Sequence, residues 1–455
     1  MSSRETPPGP GATGAWKRIG EFTRNRAEFC DEMRGRYGDF CYFKIGPEHC
    51  YLINDPELVK EVLTRNDFFS KTNSGEFLKP ILGNGLLVSK GEFHRRQRRL
   101  IQPAFTPKRV QSYVSAITDH AERVSRRWKD GQSAVLNDEM SALTMAVIAQ
   151  TMFHTEVDGL LDRVKHALDA LLPVIDKMAK PSGKFAMMLP TFANFRFYRA
   201  RRDLNRIIYD IIREARDHNE DRGDLISMLL FAKDEEGDGG GMTDEHIRDE
   251  ALTIFLAGHE TSALGLTWTW YLLAQHPEIE ARLHAELSEV LGGRLPSLED
   301  VSRLPYLQKI LRESFRLYPP AYIGDRTPAE DWDTGKHIVP KGSYIFVSQY
   351  SMGRHTEYFP NPEVFDPERW NPDEVAKRPK FSSFPFGGGV HTCVGEHFAW
   401  AELTLILATL AQRWTMSLEP GQKVETAPLI TLRVKEGIRV VLHDRTTEQD
   451  ARQAS

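Results

Sequence analysis

One cysteine of this chain stands in a setting suited to holding a ligand. Cys393 lies in Phe386-Gly-Gly-Gly389-Val-His391-Thr-Cys393-Val-Gly395, at the head of an apolar-periodic stretch running from Glu396 to about Trp414. A thiolate there meets the positive end of a helix dipole and free backbone N–H groups, which lower its pKa. The glycines remove Cβ atoms that would keep a flat ring off the loop. Three other chemistries share the pattern. The cysteine can be an inert core thiol, a nucleophile served by a distant base, or a zinc ligand beside His391 and His397. Against zinc, no second Cys/His pair at ligand spacing follows and a structural site wants four ligands.

Other reactive groups recur along the chain. Ala257-Gly258-His259-Glu260-Thr261-Ser262 interrupts an apolar helical pattern with an acid and two hydroxyls. A carboxylate in an apolar helix centre is costly without partners. Gly258 weakens the helix there, and the Thr261 hydroxyl can bond the carbonyl four residues back. Glu313-Ser-Phe-Arg316 sets an acid and a guanidinium one helical turn apart, ahead of Pro319-Pro320, and Phe365-Asp-Pro-Glu-Arg369-Trp370 follows. His94 and Arg98 share a helix face at i,i+4, and Arg326 follows the double proline.

These strings resemble the motifs of the cytochrome P450 family, in family order: the haem-ligating loop F-x-x-G-x-H-x-C-x-G, A-G-x-D/E-T-T/S, E-x-x-R, P-E-R, and His-x-x-x-Arg as a variant of Trp-x-x-x-Arg. The resemblance implies haem b ligated by the Cys393 thiolate within a loop that includes Phe386 and Gly389. His94, Arg98, Arg326 and His391 would hold the propionates. It implies that Thr261 and Glu260 serve oxygen binding and proton relay, and that Glu313, Arg316 and Arg369 form a buried network bracing the cysteine loop. The substrate pocket is expected at Phe255, Ala257, Gly258, Ala321, Tyr322, Ile323, Leu429 and Ile430. The loop from Phe77 to Leu87 would complete it, and Phe185 to Phe197, with Met187, Met188 and Phe192, reads as an apolar lid or as plain core packing. The implied activity is a monooxygenase inserting one atom of O2 into a C–H or C=C bond of a hydrophobic molecule such as a terpenoid, fatty acid, steroid or polyketide. Electrons would come from NAD(P)H through a separate ferredoxin or flavodoxin and its reductase, docked by basic residues near the cysteine. An isomerase or dehydratase of the same fold, a peroxide-driven enzyme and a haem-based sensor are the rival readings; the acid–threonine pair speaks against the first and third.

The elements that must position these groups are mainly helical. Strand signals flank a Gly46-Pro47 turn, at Phe40–Ile45 and His49–Ile53. A helical block follows from about Pro56 to Leu317. Within it Thr243 reads as the N-cap of a helix reaching about Gln275, roughly 30 residues or ~45 Å long. The segment Asp234–Gly241 reads as a flexible surface connection, and short β-prone pieces follow Asp325. The expected architecture is therefore mainly α with small β-sheets, the P450 fold. A single domain is expected over residues 15–443, with a flexible leader at 1–14 and a polar tail at 444–455. The 455 residues carry a formal charge of -5, so nothing suggests a nucleic-acid partner and none is expected. Four cysteines without a disulfide pattern, and no run near the ~18 apolar residues of a membrane span, give the expectation of a cytoplasmic protein without a membrane anchor.

Overall fold

The computed structural model describes residues 7–445 except 73, 219, 238 and most of 154–190, where 166, 167, 170, 171, 174, 178 and 187–189 are described. The helices that matter for the site are α1 (Gly91–Ile101), α2 (Pro107–Arg127), α3 (Leu136–Phe153), α4 (Phe192–His218), α5 (Asp244–Leu273), α6 (Pro305–Leu317) and α7 (Glu396–Ala411). Helix α5 begins where the sequence puts its cap: the Thr243 hydroxyl accepts the His246 N–H at 3.2 Å, and Asp244 and Glu245 complement the dipole. Its residues are buried from Ile247 through Phe255 and again from Ser262 through Trp270. Over 256–261, where the acid–hydroxyl motif sits, only His259 is buried. Helix α5 packs along α3 and α6, while α7 packs on α2.

The strands form small sheets. One has five strands in the order β1-β2-β5-β4-β3, where β1 is Phe40–Ile45, β2 Glu48–Ile53, β3 Phe69–Ser70, β4 Gly324–Pro328 and β5 Tyr344–Val347. Only β2 and β5 pair in parallel, with Cys50 opposite Tyr344. Near the C-terminus β6 (Thr426–Pro428) and β7 (Leu432–Val434) form an antiparallel hairpin. The main core gathers the apolar faces of the helices, and the sheets carry smaller clusters. Trp268, fully buried, stacks on Tyr318 with centroids 4.2 Å apart. This ties α5 to the end of α6, where burial of each large apolar side chain contributes about 1.5–3 kcal/mol.

Two stretches differ from expectation. Residues 7–14 are not a loose leader: Tyr42 N–H donates to the Pro8 carbonyl at 2.9 Å, and Arg18 reaches the Gly11 carbonyl at 2.6 Å. Gly9 makes this approach feasible, since a Cβ there would fall 1.8 Å from the Tyr42 oxygen. Nor is Asp234–Gly241 merely a flexible connection. The buried Asp234 carboxylate takes both Arg99 Nε and Nη2 at 2.9 Å, fastening the segment to α1. At the other end Asp444 closes the last strand and pairs with Arg413, while 446–455 lie outside the described residues.

Candidate active site

Cys393 sits two residues before the N-cap of α7, its N–H donating to the Phe386 carbonyl at 2.9 Å. Phe386 is fixed in turn between Phe315 of α6 and Trp400 of α7. Gly387 and Gly389 have φ of 76° and 67°, the left-handed region. The glycines also serve close packing: a Cβ on Gly389 would fall 2.3 Å from the Leu63 carbonyl and one on Gly388 2.8 Å from Phe381. Those contacts lie with the chain itself. Cys30, Cys41 and Cys50 are buried; Cys393 is accessible. It is nevertheless closely surrounded by protein. That burial pushes the thiol above its ordinary pKa, outweighing the Gly395 N–H and Arg98 that pull it down. The helix end alone therefore does not yield the expected thiolate, whereas a metal bound at sulfur deprotonates the group outright.

Beside this loop is a cluster of cationic and imidazole side chains. His94 and His391 face one another, Nε2 to Nδ1 at 3.2 Å. Arg98 donates to the Thr392 carbonyl at 2.6 Å. Burial first, then Lys71, Arg98 and Arg326, push His94 down to about 3, and His391 falls to about 2 from burial and the same neighbours. Both rings are neutral as the chain stands. Lys71, bound to the Leu86 and Leu87 carbonyls at 3.0 Å each, is pushed down to about 7 by burial and by Arg326. Arg326 Nε is buried with no partner. Positive charge gathered this way, with an orphaned guanidinium nitrogen, fits the carboxylates of haem propionates, and an accessible sulfur at a helix N-terminus fits its iron. Lys71 was not among the expected residues. It follows β3 in a polar segment, with no periodicity that could have singled it out.

Across the site, the Thr261 hydroxyl donates to the Ala257 carbonyl at 2.7 Å. Glu260 turns away to the β6–β7 hairpin, where one carboxylate oxygen accepts both Thr431 Oγ1 and Arg433 Nε at 2.6 Å. The next residue, Ser262, donates to Glu402 of α7 at 2.5 Å. Complete burial holds the Glu402 carboxyl up to about 8, and its Oε1 has no partner. Arg433 and Glu402 were also missed. A lone acid within the apolar run Phe398–Leu410 was the available signal for Glu402.

The expected pocket residues divide. Ala257 and Ala321 are accessible, and Ile323, Leu429 and Ile430 are partly buried. Phe255, however, is buried against Phe153 and His259. The open side of Gly258 meets Ile148, 2.8 Å from where a Cβ would stand. Tyr322 is fully buried, its hydroxyl donating to the Leu429 carbonyl at 2.7 Å. Phe255 and Tyr322 are thus buried, and Gly258 is half-buried. Helical angle explains it: Ala257 and Thr261 share one face, whereas Phe255 and Gly258 are roughly 200° and 100° around from Ala257. The 77–87 loop is fastened to α5 through Asn84 N–H to Asp249 at 2.6 Å and Leu86 N–H to Glu250 at 2.8 Å. In the lid segment Phe197 is core while Met188 and Phe192 are exposed; Phe185 lies outside the described residues.

The bracing network is compact. Glu313 accepts Arg316 Nε at 2.9 Å and Nη2 at 2.7 Å, the Asp366 N–H at 3.0 Å and Trp370 Nε1 at 2.8 Å. Arg369 Nε lies 3.3 Å from the same carboxylate. Arg316 spends its remaining donors on the Gly353, Pro362 and Val364 carbonyls.

A helical body with small sheets, carrying one accessible cysteine at the head of a helix, describes a haem-thiolate protein, and comparison with known proteins agrees. The sequence matches the cytochrome P450 family over residues 7–439. It is 39% identical over 386 residues to a cyclooctat-9-en-7-ol 5-monooxygenase of Streptomyces melanosporofaciens, covering 85% of this chain and 84% of the relative. It is 36% identical over 445 residues to a pentalenene oxygenase of Streptomyces avermitilis, covering 97% and 98%. Among solved structures, a retinoic-acid-bound cyanobacterial P450 superposes with a TM-score of 0.86 at 25% identity, covering 97% of this chain and all of the other. The chain belongs to the cytochrome P450 family and is a monooxygenase.

Proposed function

We propose that this enzyme hydroxylates a cyclic terpenoid hydrocarbon or a lightly oxygenated derivative, with electrons delivered by a separate ferredoxin or flavodoxin and its reductase. The observation that carries the reading is the apolar character of the chain about the break in α5: Ala257 is accessible, the hairpin loop that carries Leu429 and Ile430 is tied to Glu260 through Thr431, and the Thr261 hydroxyl is already committed to a backbone carbonyl. Such a setting orients a substrate by shape rather than by hydrogen bonds. The names of the two Streptomyces relatives support the same class.

Haem, held through the Cys393 sulfur with His94, Arg98, Arg326, Lys71 and His391 around its carboxylates, would supply the activation of dioxygen. The chain contributes the rest. Apolar walls exclude water from the reacting region. Thr261 holds a proton-bearing oxygen at the helix break, and Glu260, fixed by Arg433 and Thr431, keeps a carboxylate one residue away. The buried Glu313 network secures the backbone that presents Cys393.

Two measurements test this. A carbon monoxide difference spectrum of the reduced protein should show the strongly red-shifted Soret band of thiolate ligation, absent in Cys393→Ser. Titration with cyclic sesqui- and diterpenes should give a low-to-high spin shift and a product heavier by one oxygen atom. A spin shift and product only with fatty acids would reject the terpenoid assignment while leaving the thiolate intact.

A further inference from the structure

The less buried turn of α5, residues 256–261, and the residue after it are fastened one by one to different neighbours. Glu260 goes to the β6–β7 hairpin, Thr261 to the Ala257 carbonyl and Ser262 to Glu402 of α7. His259 goes the other way. It lies roughly 200° around the helix from Ala257, and its side chain meets α3. The residue is 6% exposed; Nε2 stands 2.9 Å from Ser141 Oγ, and Nδ1 is buried with no partner. The ring also stacks on Phe255, with centroids 6.1 Å apart. Burial above all holds its pKa down at about 4. The imidazole is therefore neutral, and its polar attachment is a hydrogen bond to α3.

The backbone of the same residue is held as well. The fully buried Thr144 hydroxyl of α3 stands 3.1 Å from the His259 carbonyl and 3.1 Å from the Met140 carbonyl of its own helix, so it spans the two helices. Thr144 thus loads the carbonyl of 259 on one face of α5, while Thr261 loads that of 257 on the opposite face. Hydroxyls on helix carbonyls compete with the backbone ladder and favour local bending. Gly258 completes the contact, since a Cβ there would fall 2.8 Å from Ile148 of α3. An apolar side chain at 259 would fill this core position without burying a polar group. An imidazole and two hydroxyls fix instead how the turn is set along and around the helix axis.

We propose that Ser141, Thr144 and His259 are positioning residues: the two hydroxyls of α3 and the imidazole hold the turn 257–261 from behind, and so set where Thr261 and Glu260 stand. The inference rests on the reading of Thr261 and Glu260 as the groups that serve oxygen activation, and extends it to three residues on the other side of the helix.

Thr144→Val keeps the shape and removes the hydroxyl, Thr144→Ser restores it, and Ser141→Ala frees the imidazole. The haem-loaded proteins are reduced, and two quantities are read without any substrate. One is the infrared C–O stretching band of the carbon monoxide complex; the other is the rate at which air returns the oxidised Soret band. Thr144→Val and Ser141→Ala should each shift or broaden the C–O band and change the reoxidation rate by about two- to tenfold, the worth of one hydrogen bond. Thr144→Ser should match wild type. The red-shifted band of the carbon monoxide difference spectrum establishes that each variant is folded with its cysteine ligated, and where Thr144→Val fails to hold haem, Ser141→Ala carries the test. Thr261→Val is the control. If it alters both readouts while Thr144→Val and Ser141→Ala alter neither, even with lowered thermal midpoints, the proposal is overturned and the three residues only pack. A Thr144→Ser enzyme that behaves like Thr144→Val overturns it too, because the methyl group rather than the hydroxyl would then matter. If Thr261→Val alters neither readout, the reading of Thr261 falls and this inference falls with it.

Discussion

Glu313→Gln is the sharpest perturbation of the architecture, because it changes one atom and no shape. The carboxylate receives N–H donors on both oxygens: Arg316 Nη2 and Asp366 N on Oε1, Arg316 Nε and Trp370 Nε1 on Oε2, with Arg369 close by. An amide has one acceptor and one donor end. Whichever way it is turned, its NH2 opposes two N–H groups. Arg316 is 1% exposed and cannot recover its loss from water. Bonds to charged groups are worth about 1.5–3 kcal/mol each, and breaking a buried ion pair by one partner costs about 3–5 kcal/mol. With an unfolding entropy of about 2.1 cal/mol/K per residue, a chain of this size should lose roughly 3–5 °C in thermal midpoint. The assay is thermal unfolding of the haem-loaded protein by circular dichroism, with haem content read in parallel. A midpoint within about 1 °C of wild type, with full haem content, would refute the view that this network carries the cysteine loop.

The buried Glu402 gives a pH signature. Its folded pKa of about 8 exceeds the ordinary 4.5, so the folded state holds an extra proton between those values. Its contribution is therefore complete below about pH 4.5 and declines as pH rises to about 8, by up to ~1.4 kcal/mol per pH unit. Glu402→Gln should flatten urea midpoints between pH 5.5 and 8.5, and parallel slopes in both proteins would count against the assignment. Lys71→Met should speed haem transfer to apomyoglobin about tenfold, the effect of roughly 1.4 kcal/mol; an unchanged rate removes Lys71 from the propionate cluster. Thr261→Val should lower product formed per NAD(P)H consumed by about 10- to 100-fold, and an unaltered ratio would exclude a role for the hydroxyl. Exposed Arg65 and Arg312 flank the cysteine loop through Leu63 and Trp400, so the ferredoxin-dependent rate should fall with salt; a rate indifferent to salt argues against docking by charge.

What was legible in the sequence was local. The Thr243 cap, the strands about Gly46-Pro47 and the helix stop before Pro319 each follow from a few adjacent residues. So does the placing of Cys393 before α7. Partners drawn from far along the chain were less so. Arg433 meets Glu260, and Ser262 meets Glu402, because hairpin and helix converge in space. The proline- and glycine-rich start suggested looseness from composition alone, yet Gly9 is there for a close backbone approach. Phe255, Gly258 and Tyr322 were placed in the pocket by adjacency to motif residues. Counting helical angle from Ala257 sets the first two on other faces of α5.

Arg316 and Arg326 show why the same residue type needs the structure to be read. Both follow motif residues and both lie inward. All five donors of Arg316 are taken, two by Glu313 and three by backbone carbonyls, so it has nothing left for a ligand and its duty is structural. Arg326 donates from Nη1 to the Asp325 carbonyl, while its Nε is buried without a partner. Its neighbours Lys71 and Arg98 are cationic, and burial draws down the pKa of all three. A fold would not gather such charge for its own stability, since each buried cation costs several kcal/mol after relaxation. The cost is recovered only by an anion in contact with the cluster. Haem carboxylates meet that requirement, and the iron they bring meets the need of the Cys393 thiol for a positive charge.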